Sequence, residues 1–135
     1  MKNQNKTLLL AFMLLASLFS FAQTPIYNSY PSAPAVIFLD FDGQAVSGTS
    51  WNTSSNAIIC GPSNLGTAAI TEIFNRVAED YRPFNINITT DSTKYWAAPI
   101  AQRMRIILTI TSDWYGSAGG VSYTNSFTWG DNTLT

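Results

Sequence analysis

Two carboxylates close the apolar run of "VIFLDFDGQAV" (Val36 to Val46): Asp40 and Asp42, with Phe41 between them and Gly43 after them. Such a pair can divide a phosphoryl transfer, one carboxylate attacking phosphorus while the other protonates the leaving oxygen. The same chemistry calls for a hydroxyl residue, a lysine and further acids around the phosphate. Thr111 or Ser112 in "LTITS" supplies a hydroxyl, but no lysine follows that later stretch. The oxygens of Asp40, Asp42 and Asp113 also suit a hard cation. As a calcium loop, however, "DFDGQAVSGTSW" has its glycine two residues early and Trp51 where a closing bidentate glutamate is needed. The chain has no histidine, so the usual base of a serine or cysteine triad and the usual zinc ligands are missing. Without those partners, Asp40 and Asp42 are expected to serve as loop-anchoring acceptors for nearby backbone donors.

The chain has 135 residues. It opens with Lys2 and Lys6, the apolar run "TLLLAFMLLASLFSFA", and small residues at Ser20 and Ala22. That order of basic, apolar and small residues predicts a secretory signal peptide over 1–22, with export from the cell and no stable membrane insertion once it is removed. An extended, proline-bearing lead-in is expected over 23–35 and a single domain over 36–135. From residue 23 onward five basic residues stand against eight acidic ones, a net charge of −3 with no basic stripe. This argues against nucleic acid as a partner. Cys60 is the sole cysteine; in an exported chain it either awaits a partner thiol or serves as a small buried hydrophobe.

The elements that must position these residues follow from periodicity. "VIFLDF" predicts a strand buried on both faces, and "GQAVSGTSWNTSS" a loop or loose hairpin anchored by Trp51. From Thr67 to Tyr81, apolar residues at Ile70, Ile73, Phe74, Val77, Ala78 and Tyr81 trace one side of a helix, opposite Glu72, Asn75, Arg76, Glu79 and Asp80. Pro83 stops that helix. "FNINITTD" alternates as a strand with one wet face. "STKYWAAPIAQRM" is a connecting segment with room for a helical turn broken by Pro99, "RIILTITS" a second buried strand, "DWYGSAGG" a bend, and "VSYTNSFTW" an alternating strand. Together they predict an α/β or α+β fold: a twisted mixed sheet of about four strands with one long amphipathic helix packed on it.

Three blocks, "VIFLDFDGQAVSGTSWN", "ITEIFNRVAEDYRPFNINITTD" and "QRMRIILTITSDWYGSAGGVSYTNSFTWGD", resemble the N-terminal half of secreted bacterial zinc metallopeptidases of the zincin type. The resemblance implies an incomplete zincin-like catalytic domain over 36–135. In that family an edge strand aligns a peptide substrate by strand addition. Gly119, Gly120, Val121, Ser122 and Tyr123 hold the corresponding position here. Zinc is the cofactor of the full-length family, held by histidines of a later HExxH helix. That helix is absent from this chain, so the resemblance implies no catalytic or metal-binding residue in it, no cofactor of its own, and no cleavage by it alone. It also offers Cys60 a partner in the missing half.

Two alternatives stand beside this. One is a secreted binding or adhesion module with Trp114, Tyr115, Tyr123 and Trp129 as a sugar or peptide platform, although core packing against the helix is the ordinary expectation for such rings. The lesser one is a fragment of a haloacid-dehalogenase-type phosphatase using Asp40 and Asp42.

Overall fold

The computed structural model describes residues 23–52, 56–116 and 118–128. The predicted signal peptide, Trp129 and Asp131 lie outside the described residues.

The first strand, β1 (Ala35–Asp40), is the centre of a three-stranded parallel sheet. Its neighbours are β4 (Ile86–Thr89) on one side and β5 (Arg103–Ile107) on the other. Between β1 and β4 the chain makes a short antiparallel pair, β2 (Gln44–Val46) with β3 (Ile58–Cys60), and then helix α1 (Thr67–Asp80). A shorter helix, α2 (Ser92–Ala97), links β4 to β5. Parallel and antiparallel strands are both present, as expected of a mixed α/β chain, but they are divided between two sheets.

Alternation along β1 explains why both of its faces are covered. Ile37 and Leu39, with Phe41 just beyond, meet Ile70 and Phe74 of α1 and Ile88 of β4. Val36 and Phe38 point the other way and pack on Tyr95 of α2. A strand buried on both sides has no position for a solvated side chain, hence the unbroken apolar run. In α1 the buried residues are Ile70 and Phe74, four apart and therefore on one stripe, while Glu72, Asn75, Arg76, Glu79 and Asp80 are exposed. The helix ends at Asp80, two residues short of Arg82, whose helical geometry Pro83 disfavours.

Two expectations are corrected. The polar face of "FNINITTD" is not wet: Asn87 is 1% exposed and Thr89 fully buried. The lead-in covers them. Asn28 bridges antiparallel to Thr89, the Ser29 N–H donates to the Ile88 carbonyl at 3.0 Å, and the Thr90 N–H donates to the Tyr27 carbonyl at 3.1 Å. Asn87 donates to Asn28 Oδ1 at 3.0 Å and accepts the Tyr30 N–H at 3.0 Å. The alternating residues are polar because the surface they meet is backbone, whose groups must be paired when buried. On the other side the Tyr27 ring lies 4.9 Å from Phe74, pinning the lead-in to α1.

The second correction concerns "VSYTNSFTW". Val121–Phe127 forms no strand; the chain turns at Asn125, which adopts φ 62°, and enters a 3-10 turn at Ser126–Thr128. Alternation alone does not make a strand without a neighbour to complete the ladder. "RIILTITS" likewise begins earlier and ends at Ile107, and its Ile106 is partly exposed.

Candidate functional site

The parallel sheet changes direction of winding at β1: α1 covers one face on the way to β4, and α2 covers the other on the way to β5. In open α/β sheets such a reversal leaves a crevice at the carboxyl ends of the strands, where ligands commonly bind. Asp40 is at that end of β1. Here the crevice is crossed by the chain's own segment Gly61–Ser63. The Gly61 N–H donates to Thr111 Oγ1 at 2.9 Å, Thr109 Oγ1 donates to the Gly61 carbonyl at 2.7 Å, and the Ser63 N–H donates to the Phe41 carbonyl at 3.0 Å. Gly43 makes the fit possible. Its φ is +90°, and a Cβ there would stand 2.7 Å from the Cys60 carbonyl oxygen and 2.9 Å from the Pro62 nitrogen. Thr111, the hydroxyl once matched to a phosphate, is thus engaged by Gly61.

Asp40 itself is 5% exposed. Its Oδ1 accepts the Asp42 N–H at 3.1 Å, the loop-anchoring role expected of it, and its Oδ2 lies 3.8 Å from Arg105 Nε. Burial pushes its carboxyl above the ordinary carboxylate range, against the Asp42 N–H and the Arg105 guanidinium, which pull it down. Arg105 is equally enclosed, its guanidinium 4.9 Å from the Tyr95 ring centre, 5.2 Å from Trp96 and 5.6 Å from Phe38. This cation-aromatic packing is a partner that no acid-base motif announces; the aromatic pair "YW" and the arginines at alternate positions of β5 are its only trace in the sequence. Arg103 stacks on the same two rings and donates from Nη1 to the carbonyls of Tyr95, Trp96 and Ala98, closing the end of α2. Asp42 is exposed and accepts from the Thr24 hydroxyl, so the two carboxylates have separate partners.

Among the described residues no group of three or more His, Cys, Asp or Glu side chains is arranged to hold a metal ion. Asp40, Asp42 and Asp113 therefore do not come together as a cation site. Cys60 is buried, with burial and the Asp40 carboxylate raising its thiol above the ordinary range.

The residues singled out for substrate contact do come together, though not as a strand. Gly120, Val121, Ser122 and Tyr123 form one wall of an open cleft of about 640 Å³. Ser50 and Trp51, from the loop after β2, and Trp114 and Tyr115, from the bend after β5, form the rest. Gly119 adjoins this wall in the chain. The Trp51 ring lies 4.2 Å from Tyr123 and 5.8 Å from Trp114, the latter edge-on at 79°. Trp114 in turn meets Tyr115 at 5.3 Å and 63°. The Tyr123 hydroxyl donates to the Ser50 carbonyl at 3.0 Å, tying the two loops together. Among the described residues Trp114 and Tyr123 thus pack on Trp51, and Tyr115 on Trp114. Sequence reading placed Trp51 as a loop anchor and missed it as a cleft residue, because its partners lie more than sixty positions away. No family model matches the chain, and no curated protein or solved structure is significantly similar to it.

Proposed function

We propose that this chain is the N-terminal, substrate-holding part of a secreted zinc-dependent metalloendopeptidase. It contributes the sheet and a peptide-binding cleft but no zinc ligands, and cleaves nothing alone. The observation that carries the reading is the convergence of Gly120–Tyr123 with Trp51, Trp114 and Tyr115 in one cleft, the segment to which the resemblance assigns substrate contact. The parallel sheet with an amphipathic helix on one face supports it further. The substrate-aligning role passes from an edge strand to the wall of a cleft. The hydrolytic step is not assigned to any residue of this chain.

A second reading, a secreted binding or adhesion module, draws on Tyr115, a residue 57% exposed beside Trp114. The phosphatase reading has least support, since Asp40 faces Arg105 and the Asp42 N–H under the Gly61–Ser63 segment.

The test is to incubate the isolated chain with casein and zinc. Saturable casein binding with hydrolysis no faster than blank is expected. Chelator-sensitive cleavage, or no binding at all, overturns the proposal.

A further inference from the structure

Among the described residues nothing accounts for Gly120 in the cleft wall. Its backbone is outside the left-handed region that favours glycine, and a Cβ built there meets no atom within 4 Å. Gly43 shows the contrast: its φ and its close carbonyl both exclude a side chain. A glycine demanded by neither conformation nor packing, on the wall of a cleft, leaves room for something outside the chain to approach its backbone.

The character of the cleft says what that is. Every described side chain lining it is uncharged; Trp51 and Tyr123 lie more nearly parallel, at 34°, while Trp51 meets Trp114 at 79° and Trp114 meets Tyr115 at 63°. Rings so inclined make a corner. A flat pyranose needs a coplanar platform and many hydrogen-bonding side chains around its rim, whereas the Tyr123 hydroxyl is already committed to the Ser50 carbonyl. A corner of ring faces and edges accepts one compact apolar ring edge-to-face. A charged side chain entering it would lose its hydration with no opposite charge to meet.

We infer that the cleft is selective for an extended peptide bearing a proline or aromatic residue, whose ring enters the corner of Trp51, Trp114 and Tyr115 while its backbone passes against Gly120. This rests on the reading of the cleft as a peptide site.

The experiment titrates the full chain with four capped pentapeptides, alanine throughout except for a central Phe, Pro, Glu or Lys. Chitohexaose and cellohexaose are run in parallel, and binding is read by intrinsic tryptophan fluorescence and calorimetry. The Phe and Pro peptides are expected to bind at least tenfold more tightly than the Glu and Lys peptides. Gly120→Ala should keep the wild-type circular dichroism and melting temperature yet lose at least tenfold in affinity for the Phe peptide. Trp51→Ala should abolish the fluorescence change. Equal affinity for all four peptides overturns the selectivity while leaving the peptide site intact. Binding of an oligosaccharide with no peptide binding overturns both. A Gly120→Ala chain that binds as wild type, or that fails to fold, overturns the role given to Gly120.

Discussion

Asp40 lies at the end of the central strand with Arg105 3.8 Å away, and burial nonetheless raises its carboxyl. The folded chain therefore holds this proton more tightly than the unfolded chain does. The stability it contributes is fully present below the unfolded value of 3.8 and is lost as pH rises through the higher folded value. Asp40→Asn cannot titrate, so urea unfolding between pH 4 and pH 7 should show the stability of wild type relative to the variant falling with pH. A flat or rising difference would mean that Arg105 outweighs burial. Turnover of p-nitrophenyl phosphate should equal the blank in both. The carboxylate pair was legible in the sequence as a motif, but its partners were not. Arg105 reaches Asp40 only because β5 pairs parallel to β1 with Phe38 opposite Arg105, a register that no local pattern contains.

At the scale of elements, what was legible depended on whether the covering surface announces itself. Helix α1 is readable because its stripe faces a sheet: Ile70 and Phe74 recur at helical spacing and need only some apolar surface opposite. Phe74→Ala should lower the unfolding free energy by about 3–5 kcal/mol, the range for removing a buried aromatic side chain. Strand β4 misled because its polar residues are satisfied by the lead-in, which has no periodicity of its own. Asn87→Ala should cost about 1–3 kcal/mol, since the Tyr30 N–H loses its buried acceptor. Chemical denaturation of the two variants checks both; an Asn87→Ala loss indistinguishable from zero would place that side chain in water. The final segment misled in the opposite sense, with an alternating pattern but no strand beside it, and the cleft was hidden because it joins loops from three parts of the chain.

Over the whole molecule, order should fall away from β1. That strand has a hydrogen-bonded neighbour on each side and a helix on each face, whereas Val121–Phe127 pairs with no strand among the described residues. Native-state hydrogen exchange should find the amides of Ile37–Leu39 the slowest and those of Val121–Phe127 faster by several orders of magnitude, as for segments that open locally. Comparable protection in the two would show that the cleft wall belongs to the same cooperative unit as the sheet. A less protected wall suits the proposed role, because a peptide can order it on arrival.

The lead-in has a consequence for timing. The segment around Tyr27 is synthesised before β4, and its partner Thr90 lies 63 positions later. Until β4 emerges, the backbone of Asn28–Tyr30 lacks its β4 partners, and once β4 does emerge its outer edge meets a segment already made. The sheet closes that side with a segment made before β4, so β4 spends little of its life as a bare template for a neighbouring molecule.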